Sequence, residues 1–187
     1  VKTDFSWWIH RFKKLFEIVD IVRLDHFIGF SKFWSLPSES TSAINGKWKS
    51  VPGELFFNKL LSHFSAEKII AEDLGDIDKD VINLRDKFNF SGMHVLQFEN
   101  DLLNGKKIQF NPNSATYTGT HDNETITAWF DSLDEKNKQN IFNHLGQTEL
   151  EHPHWKLIEL AMSTNSKTVI IPVQDLLGLD NENRFNT

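Results

Sequence analysis

The chain has 187 residues, 20 Lys and Arg against 26 Asp and Glu for a net charge of −6, and no cysteine. That length accommodates one ordinary domain with a real core, and a weakly acidic chain with scattered basic residues argues against nucleic acid, which recruits clustered Lys and Arg. Disulfides and thiolate metal sites are excluded, and no apolar run approaches the roughly 18 residues of a membrane span.

Apolar residues at Phe5, Trp8, Ile9, Phe12, Leu15, Phe16 and Val19 recur at helical spacing and predict a helix over 4–19. A short β-branched run, "DIVRLDHF" (20–27), ends in polar residues. Residues 31–53, rich in Ser, Pro and Gly, predict a long loop. Then come a helix over 53–64, a strand in "KIIAEDLG" (68–75), a helix over 78–88 and a strand in "MHVLQF" (93–98). "NPNSATYTGTHD" (111–122) reads as a loop entering a short strand. Helices follow over 124–133, 134–146 and 152–164, and "KTVIIPVQDLLG" (167–178) reads as a strand with a polar end. Strands alternating with helices imply parallel pairing through helical crossovers. No repeat and no internal domain boundary is visible.

Sixteen Phe, six Trp and one Tyr are a heavy aromatic load for this length. The Phe read as core; the Trp also suit the apolar faces of sugar rings. The strand ends share a chemistry: Asp25 and His26, Glu72 and Asp73, Gln97 and Phe98, His121 and Asp122, Gln174 and Asp175. The C-terminal edge of parallel strands is where α/β folds bind ligands. An acid after a strand can equally be a helix N-cap, a role open to Asp73, Asp76 and Asp175. All five ends at once are poorly explained that way.

If Asp25, Glu72 and Asp122 share one rim, they supply what glycoside cleavage requires, a protonated acid beside an ionised nucleophile. Arg23 lies two residues before Asp25, on the same strand face, where its charge favours an ionised carboxylate. The same rim offers Asp25, His26, Glu72, His121 and Asp122 as metal ligands. Alternation sends adjacent strand residues to opposite faces, which favours sugar chemistry over a metal centre. His26 and His94 are assigned to packing or hydrogen bonding.

"VRLDHFIGFSKFW", "TSAINGKWKSVPGELFF", "IIAEDLG", "SGMHVLQF", "YTGTHDNET" and "IIPVQDLLGL" resemble, in order and spacing, the 4-α-glucanotransferases. This family, also called amylomaltases or disproportionating enzymes, is glycoside hydrolase family 77 of the α-amylase clan. The resemblance runs from Trp7 to Asn186. It implies an α/β fold, a TIM (β/α)8 barrel of which this chain carries only strands four to eight. Residues 1–187 would be the C-terminal portion of a single catalytic domain, with the first strands and a lid region upstream. It implies Asp25 as nucleophile, Glu72 as general acid and base, and Asp122 as the third carboxylate, which binds sugar hydroxyls. Arg23 and His121 would orient the nucleophile and contact the donor sugar, Phe98 would contact the glucan, and Asn186 would lie on the acceptor side. The partners implied are an α-1,4-glucan donor, a glucan or glucose acceptor and the missing N-terminal half, with no membrane and no nucleic acid. No cofactor, no metal and a cytoplasmic location go with the family. An α-amylase-like hydrolase and a non-catalytic glucan-binding fragment are the alternatives. The chain departs from the family at Ile28, where Arg is common, and at Glu124, where Asp is common. A half-barrel leaves its inner face open, so the isolated chain is expected to be marginally stable without its other half.

Overall fold

The structure, a computed structural model, describes residues 3–149 and 151–185. The chain forms two compact units, Val1–Gly92 and Met93–Thr187. The sequence shows no boundary because neither composition nor a Pro/Gly/Ser linker marks the junction.

In the first unit, helix α1 (Ser6–Phe16) leads to strand β1 (Val22–Leu24). A two-stranded antiparallel ribbon follows, β2 (Lys32–Ser35) with β3 (Lys47–Ser50), then helix α2 (Gly53–Leu61), strand β4 (Ile69–Ala71) and helix α3 (Lys79–Lys87). Strands β1 and β4 pair in parallel, with Val22 opposite Ile69 and Leu24 opposite Ala71. Ile70 continues the parallel pattern with a bridge to Ser91.

The ribbon replaces the loop expected over 31–53. Its strands lack the alternation of a half-buried strand, since all four β3 residues are exposed. A cross-strand aromatic pair holds it instead: Trp34 faces Trp48, with ring centroids 5.3 Å apart and planes at 68°. Trp34 is locked in place, its Nε1–H donating to the Ala43 carbonyl at 2.8 Å while Gly46 lies against the indole.

The Phe-rich core is as expected here. Phe12, Phe27, Phe56, Phe57, Phe88 and Phe90 are buried in one cluster with Leu24, Leu60, Ile69 and Val81. Phe27 stacks on Phe57 at 5.5 Å and meets Phe90 edge-on at 6.1 Å. Such pairs are each worth about 0.5–1.5 kcal/mol beyond area burial. Asp78 caps α3, accepting from the N–H groups of Asp80 and Val81, so the cap is neither Asp73 nor Asp76.

Strand β5 (Gly92–Val95) begins on the last residue of the first unit, and the second unit continues with α4 (Asn100–Leu103), β6 (Ser114–Tyr117), α5 (Ile126–Ser132), α6 (Glu135–His144), α7 (Pro153–Met162), β7 (Thr168–Ile170) and α8 (Val173–Leu176). The sheet order is β5-β6-β7, and β6 and β7 are parallel, with Ala115 opposite Thr168. Strand β6 is buried throughout; the Ser114 and Thr116 hydroxyls pair with Ser166 Oγ at 3.0 and 2.7 Å.

Two predicted strands are shorter than expected. The strand over 93–98 stops at Val95, and Leu96–Phe98 is a 3₁₀ turn. The strand over 167–178 stops at Ile170, and Pro172 leads into α8. Proline has no N–H to give a sheet, but its fixed φ suits a helix entry. Gln174 and Asp175 are therefore helical residues, not strand-end ones.

Candidate functional site

The register of β1 and β4 places Asp25 and Glu72 at equivalent positions, each one residue past the end of its strand. The backbone ladder continues there: the Glu72 N–H donates to Leu24 O at 2.9 Å, and the Phe27 N–H donates to Glu72 O at 3.0 Å. Phe27 is fully buried, so the core holds the turn that carries Asp25 and His26. Closing this turn puts His26 at φ 52°, the left-handed region, where a non-glycine residue needs its surroundings to hold it.

The Glu72 carboxylate is fixed from both sides. Oε2 accepts from the His26 backbone N–H at 2.7 Å, and Oε1 accepts from the Leu74 N–H at 3.3 Å. Arg23, in β1, reaches Asp25 as expected, with Nη2 3.4 Å from Oδ1. The Asp25 side chain is exposed, and with Arg23, Trp7 and Trp8 it borders a pocket of about 390 Å³. Asp73 points away from Glu72 into an ion pair with Arg85 of α3, the opposite side that alternation gives it. Gly92 makes room for that pair, since a Cβ would lie 2.8 Å from Asp73 Oδ2 and 2.9 Å from Arg85 Nη1.

In the second unit, His121 and Asp122 lie in the loop after β6 rather than on the strand, so strand alternation does not separate them. Their side chains meet, Nε2 to Oδ2 at 3.2 Å, and both are exposed. Thr120 and Asn123 shape the loop: the Thr120 N–H and hydroxyl both donate to Asn123 Oδ1, and the Asp122 N–H donates to Thr120 Oγ1. His121, Gln174, Arg184 and Phe185 border a cleft of about 150 Å³. Phe98 is half exposed at the end of its 3₁₀ turn. Asn186 lies outside the described residues.

His94 is a hydrogen-bonding residue, as expected. Its Nε2 accepts from the Asn111 N–H at 3.2 Å, so Nδ1 carries the proton given to Glu99 at 2.9 Å. Among the described residues, no group of three or more His, Asp or Glu is arranged to hold a metal ion.

Of the residues that pin the Asp122 loop, sequence reasoning named Gln97 and Asp175 only as strand ends and missed Asn181. Gln97 is buried and its amide donates to Glu124 O at 2.8 Å. Asn181 accepts from the Thr125 N–H and donates to Glu124. Asp175 is 1% exposed; burial holds its carboxyl above the usual aspartate range, against the lowering effect of hydrogen bonds from Thr118 and Ile126 and of nearby His154. A polar pair after an apolar run was the only signal, and it was read as a strand end.

A family model described as 4-alpha-glucanotransferase matches residues 1–187. A 4-alpha-glucanotransferase of Synechocystis is 44% identical over 98% of this chain and 37% of its own length. The chloroplastic/amyloplastic enzyme of Solanum tuberosum is 43% identical over 99% of this chain and 33% of its own. Among solved structures, amylomaltase from Streptococcus agalactiae in complex with acarbose is 31% identical, with a TM-score of 0.89 over 100% of this chain and 38% of that one. Amylomaltase from Corynebacterium glutamicum, 18% identical with a TM-score of 0.56, shares the fold. The chain thus spans about a third of the length of the relatives it matches.

Proposed function

The chain belongs to the 4-alpha-glucanotransferase family, and from that premise we propose that it is part of an enzyme that moves a segment of an α-1,4-glucan to the 4-hydroxyl of another glucan or of glucose. The observation that carries the reading is the pairing of Asp25 and Glu72 at adjacent strand ends, with Glu72 bonded to the N–H of the residue after Asp25.

The proposed reaction is a retaining double displacement. An Asp25 oxygen attacks the anomeric carbon as the glycosidic C–O bond breaks, and Glu72 gives its proton to the leaving 4-oxygen. The glycosyl ester on Asp25 is then attacked by the acceptor's 4-hydroxyl, whose proton returns to Glu72. Arg23, beside Asp25, orients the nucleophile. Asp122 and His121, held as a pair, bind hydroxyls of the donor sugar; Phe98 offers an aromatic face to the glucan, and Asn186 serves the acceptor side. Transfer prevails over hydrolysis where acceptor binding excludes water.

In the same reading β1, β4, β5, β6 and β7 are strands four to eight of a (β/α)8 barrel, and residues 1–187 are the C-terminal portion of one catalytic domain. The remaining strands would come from upstream sequence, which the greater length of the relatives supports. The Streptococcus agalactiae amylomaltase was solved with acarbose, which supports a glucan as the ligand class. A cytoplasmic location rests on the family alone.

The test is to trap the intermediate. In the intact protein carrying Glu72→Gln, maltosyl fluoride, whose leaving group needs no acid, should leave a maltosyl adduct on the peptide containing Asp25, read by mass. An adduct on another residue, or none, would contradict the assignment.

A further inference from the structure

We infer that Asp175 is a positioning residue: its buried carboxylate clasps both ends of the loop that carries His121 and Asp122, and so sets where that pair meets the sugar. This rests on the reading of Asp122 as a substrate-binding carboxylate. The loop leaves β6 after Tyr117 and returns at the first residue of α5, Ile126. Asp175 Oδ2 accepts from the Thr118 hydroxyl at 2.6 Å, and Oδ1 accepts from the Ile126 N–H at 2.8 Å. One side chain thereby fixes the exit and the re-entry of the loop. All three groups are buried, and losing the acceptor leaves two donors without their protein partner.

The clasp also explains the cap. The Thr125 hydroxyl accepts from the Ala128 N–H, and the Ile126 N–H at the head of α5 goes to Asp175. Between the anchors the loop is tightly tied: Gly119 lies where a Cβ would sit 2.7 Å from the Gln97 amide, and the Arg184 guanidinium donates to His121 O at 3.4 Å. His121 and Asp122 themselves are exposed and touch each other rather than the interior. Their position is therefore inherited from the anchors and from the ties along the loop. Asp175 reaches neither of them, which makes it a positioning residue and not a catalytic one.

Asparagine can keep both contacts, its carbonyl accepting from Ile126 and its amide donating to Thr118 Oγ1; alanine keeps neither. Three variants of the intact protein, Asp175→Asn, Asp175→Ala and Thr118→Val, are compared for kcat and KM with maltotriose, well below their melting temperatures. Amide hydrogen exchange over 119–126 is followed in parallel. The expected result for Asp175→Ala is a tenfold or greater loss of kcat/KM per folded molecule, with faster exchange confined to 119–126, and recovery of most of the loss in Asp175→Asn. If Asp175→Ala does not fold, Thr118→Val, which removes one anchor at constant shape, should show the same pattern at smaller amplitude. Unchanged kcat/KM with lowered stability in the alanine and valine variants would overturn the proposal, as would unchanged exchange over the loop. Asp122→Asn separates the two layers: full activity there overturns the reading of Asp122, while the exchange data still decide the clasp.

Discussion

The Glu72 carboxylate accepts a 2.7 Å hydrogen bond from the backbone N–H of His26. A rigid strand end and a core-anchored turn thus share the placement of one acid, which suits a group that must meet a leaving oxygen within hydrogen-bond reach. Glu72→Gln keeps one acceptor oxygen but cannot give a proton. Transfer from maltotriose by the intact protein should fall by about 10²–10⁴-fold, with a melting temperature close to the parent's. Retained turnover would remove Glu72 from the mechanism.

His26 pays for that geometry with a left-handed backbone, φ 52°. A β-branched residue fits this region worst, so His26→Val should destabilise by about 1–3 kcal/mol, while His26→Gly should be close to neutral. Chemical denaturation of both variants checks the difference, and equal stability would show that the strain is absent.

Behind Glu72, Asp73 is buried and its partner Arg85 partly so, with side-chain exposures of 3% and 16%. Removing one partner of a buried pair commonly costs about 3–5 kcal/mol, so Arg85→Met should lower stability by an amount of that order. Gly92→Ala should cost about 1–3 kcal/mol by overpacking, because the new methyl meets both members of the pair. The two losses should not add in the double variant, since Arg85→Met already vacates part of the space.

Two acids should give opposite pH signatures. Asp78 is held below the usual aspartate range, first by its hydrogen bond from Lys32 and then by the Val81 N–H. Its contribution is present above the unfolded pKa of about 3.9 and is lost as pH falls through the lowered folded value. Asp175 is held above that range, chiefly by burial. Its contribution is present below about pH 3.9 and is lost as pH rises through the raised folded value. Melting curves should show the parent's advantage over Asp78→Asn growing from acid toward neutral pH, and its advantage over Asp175→Asn shrinking. Parallel curves would contradict the assigned shifts.

At the ribbon, Gly46→Ala places a Cβ 2.1 Å from Trp34 Nε1. The indole must move, and the edge-on contact with Trp48 should be lost. The measurement is the far-ultraviolet exciton signal of the Trp pairs: the share from Trp34 and Trp48 should be lost in Gly46→Ala and in Trp48→Phe alike, leaving the share from Trp7 and Trp8, and an unchanged signal would contradict the contact.

What the sequence disclosed follows physical lines. Helices with a clear apolar face, such as α1 and α7, were legible from periodicity, as were the buried ends of β1 and β4 with Asp25 and Glu72 just beyond them. The ribbon was not, because its side-chain pairing rests on the Trp34–Trp48 contact and Lys32 over the Trp48 ring, across a Ser-rich connection, rather than on alternation. Asp175 was seen but misplaced: its partners, Thr118 and Ile126, lie 57 and 49 residues away in sequence, and no local pattern reports a long-range hydrogen bond. Asp73 turns away from Glu72 as alternation requires, but its ion pair with Arg85 in place of a helix cap was not legible.

The most direct test of the transfer reading is one incubation of the intact protein with maltotriose, with product masses and reducing ends followed together. Transfer predicts glucose plus a ladder of longer oligomers while the number of reducing ends stays constant. Reducing ends that rise with glucose and maltose as products would make the protein a hydrolase, and unchanged maltotriose would contradict turnover altogether.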